Sequence, residues 1–482
     1  MSTSPQQPQQ TTPLAAIVLC AGQGTRMKSA LPKILHPLLG RPMGSYPLTR
    51  ALETGATRAV AVTGHGAEQV ERALTDALAN RVVDSGDGLR FVRQEQQLGT
   101  AHAVLCAQPA LADFTGDIFI LYGDVPLVSA QTLRALIDAK AAAQSPVALV
   151  TTRPSDPTGY GRIVRDAVSG AMTRIVEHKD ATEDELGIGE INAGLYLVSS
   201  DFLWRSLGRV DRRNAQNELY LTDLIQLAFE QSTPAATVRA EFEEVGGVND
   251  RVELTRATTT LQRRINERHQ RAGVTIELPD TVLIDESVEL AADVTIGPNV
   301  RLVGGTRIER GAHIGQGCVI VDSIVGEAVE VKPYSVFEEA IVGEAAIVGP
   351  FARLRPGTEL GAKVHIGNFV ETKKARVGVG SKANHLSYLG DCDIGAGVNV
   401  GAGTITCNYD GVNKHRTVLG DGVFVGSDSQ FVAPVTVGNG AYIGAGSTIT
   451  EDVPEESLAL SRGRQIVKEG YRSKRQNQKK RG

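Results

Sequence analysis

The 482-residue sequence has no run of about 20 apolar residues, the length a membrane-spanning helix needs. Its first twelve residues, MSTSPQQPQQTT, have neither the basic start nor the apolar core of a secretion signal and read as a floppy tail. Both absences predict a soluble, cytoplasmic protein without a membrane partner. Cysteine is scarce. The five cysteines, Cys20, Cys106, Cys318, Cys392 and Cys407, are odd in number and show no metal-ligand or redox spacing, which predicts free thiols in a reducing compartment. A dominant charge is lacking too: the formal net charge of −5 gives no chain-wide attraction to nucleic acid.

What is present falls into two halves with different periodicity. From Leu14 to about Asn249, short apolar runs (Leu14–Leu19, Ala59–Val62, Ile118–Leu121) alternate with helix-like stretches (Glu68–Leu78, Thr100–Cys106). Strand–helix alternation predicts a Rossmann-like α/β domain over residues 13–249, with a mainly parallel sheet and its ligand crevice beyond the carboxyl ends of the strands. Asp250–Arg271 of residues 250–272 contain neither Gly nor Pro. They predict a charged linker helix on which Val252, Leu254, Leu261 and Ile265 form a loose apolar stripe.

From Gly273 an aliphatic residue followed by glycine recurs, as in Ile296-Gly297, Ile314-Gly315, Val348-Gly349, Ile366-Gly367, Ile394-Gly395, Val425-Gly426 and Ile443-Gly444, often at multiples of six. This is the hexapeptide signature of a parallel β-helix. Each unit gives one short strand and one corner, and three units close a triangular coil. Residues 273–456 should therefore form about ten coils. Residues 457–482 form a tail whose last stretch, YRSKRQNQKKRG, is basic and predicts a disordered, solvated segment.

Chemistry-bearing strings sit at the strand ends of the first half. Leu14–Leu19 runs into Cys20-Ala21-Gly22-Gln23-Gly24-Thr25-Arg26-Met27, with Lys33 soon after. Glycines let a backbone approach a phosphate or base, and Arg26 and Lys33 supply charge for phosphate. This turn is not the dinucleotide fingerprint. Gln94–Thr100 (QEQQLGT) leads into an Ala-rich helix, and Tyr122-Gly123-Asp124-Val125-Pro126 follows an apolar strand. An aspartate at a strand's carboxyl end can hold Mg²⁺ against a triphosphate.

In the second half the repeat is interrupted at residues 351–357, 368–374, 382–391 and 407–416, each rich in His, Lys, Arg, Asn or Tyr. These four breaks predict one substrate pocket. His385 is its natural general base, since an imidazole titrates near neutrality.

The strings L-x-A-G-x-G-T-R-M, L-P-K, Q-L-G-T and Y-G-D-V-P-L resemble those of the sugar nucleotidyltransferases. With Gly159–Arg162, Glu177–Ala181, Glu190–Gly194, Gly247–Arg251 and the hexapeptide region, residues 14 to about 470 resemble the bacterial bifunctional N-acetylglucosamine-1-phosphate uridylyltransferases/glucosamine-1-phosphate acetyltransferases. The resemblance implies a left-handed β-helix, a homotrimer whose acetyl site is shared between subunits, Mg²⁺ as cofactor, and acetyl-CoA and UTP as substrates.

It also implies roles by residue. Asp124 and Asn249 would hold Mg²⁺. Leu19, Ala21, Gly22, Gln94, Gly99 and Thr100 would line the uridine pocket, with Arg26 and Lys33 at the phosphates. Tyr122, Gly161, Glu177, Asn192 and Asn249 would hold the sugar. In the second half His385 would be the base, Arg355 and Lys373 would bind the sugar phosphate, and Tyr388, Asn399 and Lys414 would fix the ring. Ala402, Asn408, Tyr409, Ser427, Ala445 and Arg462 would contact acetyl-CoA. Cys20 departs from the family's usual Ala and would put a thiol beside the nucleotide. Alternatives are a zinc enzyme built on His313, His365, His385 and His415, a β-helix that only trimerises a nucleotidyltransferase, and thymidylyl transfer to another sugar phosphate.

Overall fold

The computed structural model describes residues 12–22, 24–82 and 88–479. All but the last of the twelve residues read as an N-terminal tail, together with Gln23 of the Gly-rich turn, lie outside it. The chain divides into two compact units, Met1–Leu261 and Gln262–Gly482.

The first unit is built on one sheet. Its strands run in the order Ala236–Arg239, Val147–Thr152, Ile191–Ser199, Asp117–Tyr122, Leu14–Leu19, Ala56–Thr63, Leu89–Arg93, with the pair Arg162–Arg165 and Met172–Val176 attached to Ile191–Ser199. Ile191–Ser199 runs antiparallel to both neighbours; the other pairings along the path are parallel. The strands read as unbroken apolar runs because both faces are covered. Ala16, Val18, Ala61, Phe119 and Leu121 pack beneath Leu48, Val70, Leu74 and Leu133. Ala15, Ile17, Val60, Ile118 and Ile120 meet Val104, Phe202, Leu203 and Leu224 on the other side.

The second unit is a parallel β-helix. One strip of eleven strands runs up it, and a sheet of seventeen strands makes the remaining faces. The inward column of the first strip is Ile276, Ile296, Ile314, Val331, Val348, Ile366, Ala383, Val400, Val425, Ile443 and Ala459, each paired with the next. Most steps take 17 or 18 residues, whereas the step from Asn399 to Phe424 takes 25 and holds an extra loop. The coil also runs past residue 456, because Leu458–Ala459 still pairs with Tyr442–Ile443.

Three sequence expectations need correction. Of the four expected interruptions only residues 407–416 form an insertion. The other three are ordinary coils with strands of up to seven residues, such as Glu371–Val377 and Tyr388–Ile394. Thr372, Ser387 and Asp391 are buried, but most of their other polar residues take outward positions, which the core does not constrain. The helix Arg251–Arg271 forms, but its Val252 is 59% exposed. Its buried second half is partly polar: Gln262 and Asn266 donate side-chain amides to the carbonyls of Pro279 and Val282 at 2.8–3.2 Å, satisfying the first coil's free acceptors. Finally, the basic tail carries a helix, Tyr471–Lys479, exposed over residues 471–476, instead of remaining irregular.

Candidate functional site

Leu19 and Tyr122 lie opposite each other in parallel register, so the turns that follow leave the sheet at one edge. The Gly123 amide donates to the Leu19 carbonyl at 2.9 Å, which draws the two turns together. Gly24 has φ +63, and a side chain there would run into Lys33. The turn can therefore fold Lys33 back onto Asp124, where the ammonium and carboxylate form an ion pair. Lys33 Nζ also donates to Asn249 Oδ1 at 2.7 Å, and Arg26 donates to the same oxygen at 2.8 Å. Four residues from three distant segments thus meet at one point. Asp124 and Asn249 already offer two hard oxygens to a single cation. That donor set suits Mg²⁺, which takes one or two protein oxygens and leaves its other positions to water and phosphate.

Two cavities meet at this point and share Tyr122 and Asp124 in their walls. The first, about 310 Å³, is lined by Leu19, Ala21, Gly22, Lys33, Gln94, Gly99 and Thr100, the residues expected at the nucleotide. The second, about 360 Å³, is lined by Tyr122, Gly161, Glu177, Asn192 and Asn249, the residues expected at the sugar, together with Arg26, which was expected at the phosphates. Sequence reading missed Gln97 and Glu218 in the first wall and Tyr160, Gly194 and Glu253 in the second. Tyr160 and Gly194 stood inside quoted strings; Glu218 stood in none. Gly194 has φ +75, and a Cβ there would come within 2.8 Å of the Tyr122 ring, so glycine is what lets Tyr122 lie between the cavities.

Burial shapes the electrostatics here. It raises the Glu177 carboxyl; the Thr222 hydroxyl works against that, while Asp180, Asp223 and Glu218 add to it. The Tyr122 phenol is raised by burial and by the carboxylates of Glu177 and Asp124. Cys20 is 3% exposed, and burial together with Asp124 pushes its thiol up to about 12. The thiol in the wall of the first cavity is therefore a neutral packing group. Iodoacetamide at pH 7.5 should leave Cys20 unmodified in the folded protein while the half-buried Cys407 reacts; peptide mass spectrometry showing Cys20 labelled first would contradict this.

In the second unit, His365–Asn368 and Lys382–His385 are neighbouring strands with Asn368 opposite His385. His385 is exposed, and its Nδ1 lies 3.2 Å from Asn368 Oδ1. With Nδ1–H donated to that amide oxygen, Nε2 is the free base. One corner further on, Glu371 pairs with Tyr388 and Lys373 with Gly390. Arg355 donates to Glu371 at 2.7 Å, and that carboxylate holds its guanidinium firmly charged. The neighbouring Lys414 ammonium above all lowers the pKa of Lys373, and Arg355 adds to it. Three cations thus crowd one place, an arrangement that an anion such as a phosphate relieves.

Lys414 arrives on the inserted loop, where Tyr409 and Lys414 bridge, Asp410 Oδ1 accepts the amides of Val412 and Asn413 at 2.7 and 2.6 Å, and His415 Nε2 meets Asp410 Oδ2 at 2.8 Å. Asn408 donates to Asp391 at 2.5 Å beneath it. Ala402, Ser427 and Ala445 stack at one corner: the Asp428 amide bonds Ala402 O, the Gly446 amide bonds Ser427 O, and Arg462 donates to Ala445 O at 2.8 Å. Asn399 stands apart from the cations, on the first strip between Lys382 and Phe424.

Comparison with known proteins agrees with this division. Residues 16–183 match the MobA-like NTP transferase domain, residues 278–387 the GMPPB C-terminal domain, and residues 416–451 the bacterial transferase hexapeptide (six repeats). Proteins named bifunctional protein GlmU are similar along nearly the whole chain. That of Anaeromyxobacter dehalogenans strain 2CP-C is 53% identical over 98% of this chain and 95% of its own. Those of Geobacter sulfurreducens and Sorangium cellulosum are 48% and 49% identical over 96% of this chain, covering 99% and 96% of theirs. With an NTP transferase match in the first unit, a hexapeptide match in the second and relatives of this identity over nearly the whole chain, the chain belongs to the family of bifunctional GlmU proteins.

Proposed function

We propose that the chain makes UDP-N-acetylglucosamine in two steps. The β-helix transfers an acetyl group from acetyl-CoA to the amine of glucosamine-1-phosphate. The α/β unit then joins the resulting N-acetylglucosamine-1-phosphate to the uridylyl group of UTP, releasing pyrophosphate. One observation carries the reading: each unit has its own site for anions, and the residues beside it differ in kind. The first is all charge and alignment. The second adds an oriented imidazole.

That difference fits the two chemistries. The sugar phosphate is already an anion, so uridylyl transfer needs no general base. Lys33 and Arg26 neutralise the phosphates and hold attacker and leaving group in line. Asp124 and Asn249 would hold Mg²⁺, which supplies further neutralisation of phosphate charge. Glu177, Asn192 and Tyr122 would hold the N-acetyl sugar, which favours this substrate over a plain hexose phosphate. An amine attacking a thioester must shed a proton, and His385 Nε2 would take it. Arg355, Lys373 and Lys414 would grip the sugar phosphate, with Tyr388 beside them. The corner formed by Ala402, Ser427 and Ala445, with Asn408, Tyr409 and Arg462, would carry acetyl-CoA.

We further infer a trimer in the cytoplasm. Tyr334, Phe351 and Phe369 stack at 5.4 Å along one corner, half exposed, and Leu386 beyond them is 63% exposed; such a ladder suits contact with a second copy. Asn399, set apart from the cations within one chain, would join the site from a neighbouring subunit. No helix among the described residues is long and apolar enough to cross a membrane.

The test is to supply glucosamine-1-phosphate, acetyl-CoA, UTP and Mg²⁺ and measure UDP-N-acetylglucosamine. Leaving out acetyl-CoA should stop product formation, and adding N-acetylglucosamine-1-phosphate should restore it. CoA release that does not depend on glucosamine-1-phosphate would sink the acetyl-transfer reading.

A further inference from the structure

The helix Asp223–Glu230 begins behind Thr222. Threonine is favoured at that position because its hydroxyl can accept one of the helix's free amides. Thr222 makes no such bond. Its hydroxyl, on a residue only 5% exposed, instead donates to Glu177 Oε1 at 3.3 Å. Glu177 lines the sugar cavity. The segment leading to Thr222 is stitched to the nucleotide cavity as well. The Leu219 amide donates to Leu98 O at 2.8 Å, the Ala101 amide to Leu219 O at 3.0 Å, and the Leu221 amide to the Thr100 hydroxyl at 3.0 Å. A Cβ on Gly99 would strike Leu219 O, so this seam closes only on glycine. Asp180, just past Glu177, accepts the Ala215 amide at 2.7 Å and the Tyr220 hydroxyl at 3.1 Å.

We propose that Thr222 is a positioning residue of the uridylyl site, and that residues 214–222 form a strut joining the nucleotide rim at 98–101 to the sugar-binding carboxylate of Glu177. The proposal rests on the reading of the second cavity as the N-acetylglucosamine-1-phosphate site. The strut gives the two subsites one support, so that the carboxylate's position depends on the same backbone that lines the nucleotide cavity. The hydroxyl also has an electrostatic part. Glu177 is buried among Asp180, Asp223 and Glu218, with the phenols of Tyr122, Tyr196 and Tyr220 nearby, and the Thr222 contact favours its charged form.

The experiment compares the full chain with Thr222→Val and Thr222→Ser in steady-state uridylyl transfer. Losing a hydrogen bond to a charged group should raise the KM for N-acetylglucosamine-1-phosphate about tenfold in Thr222→Val. Its kcat and its KM for UTP should stay near those of the parent, and Thr222→Ser should restore the sugar KM. The acid limb of kcat/KM for the sugar should also move to higher pH in Thr222→Val, because the carboxyl loses a contact that holds its pKa down. Equal sugar KM values for the Val variant and the parent, or a Ser variant no better than Val, would overturn the role given to Thr222. Parent protein that does not turn over N-acetylglucosamine-1-phosphate would instead overturn the functional reading beneath it.

Discussion

Alanine in place of His385 lowers the kcat of acetyl transfer about 100- to 10,000-fold and leaves uridylyl transfer from UTP to N-acetylglucosamine-1-phosphate at the parent rate. The size follows from the chemistry. The attacking amine becomes cationic as it adds to the thioester, and without a positioned base its proton must leave to water. The selectivity follows from the architecture: His385 belongs to the unit Gln262–Gly482, while the uridylyl residues belong to Met1–Leu261. His385 is exposed and carries no core packing, so the variant should fold and melt as the parent does. Asn368→Ala should show a weaker form of the same defect, because it removes the amide oxygen 3.2 Å from Nδ1 and lets the ring choose either tautomer. Release of CoA at the parent rate by His385→Ala would leave the β-helix as a scaffold.

Much of this arrangement could be read from the sequence, for identifiable reasons. The buried strand Leu14–Leu19 and the helix Thr100–Cys106 fall where expected, because a parallel sheet covered on both faces leaves unbroken apolar runs between turns. The β-helix was legible because each inward position, from Ile276 to Ala459, must be apolar at a step that is mostly 17 or 18 residues. What escaped was set by tertiary context. Outward polar residues such as Lys373 and Tyr388 looked like breaks in the coil, since the repeat constrains only what faces inward. Gln262 and Asn266 lie outside the apolar stripe read from the sequence, and nothing local announces that they cap a coil's open carbonyls. Glu218 and Thr222 belong to a loop without a motif, and only the fold brings them to the cavities. The cluster of Lys33, Asp124 and Asn249 was legible as a set of residue types, but not the fact that one ammonium bridges the other two.

That bridge decides how the uridylyl site should respond to substitution. Lys33→Ala should lower uridylyl transfer about 100- to 1,000-fold, the usual cost of removing one charge-stabilising donor from such a site. Asp124→Asn should cost at least as much, because it removes a carboxylate that Mg²⁺ would use and leaves a Lys33 only 9% exposed without its counter-ion. The two effects should not add. In Lys33→Ala part of the damage is a stranded Asp124, and in Asp124→Asn part is a stranded Lys33; the double variant strands neither. Lys33→Ala/Asp124→Asn should therefore retain more uridylyl transfer than the product of the two single losses predicts, a coupling that a double-mutant cycle on kcat/KM reads directly. Asn249→Ala should couple to Lys33 in the same sense, since its Oδ1 takes the same ammonium at 2.7 Å and the Arg26 guanidinium at 2.8 Å. Acetyl transfer, measured on the same preparations, should be unchanged throughout. Strict additivity among Lys33, Asp124 and Asn249 would mean that the ion pair does not act as a unit in catalysis, and equal loss of acetyl transfer would mean that the substitutions damage the whole chain, not the nucleotide site.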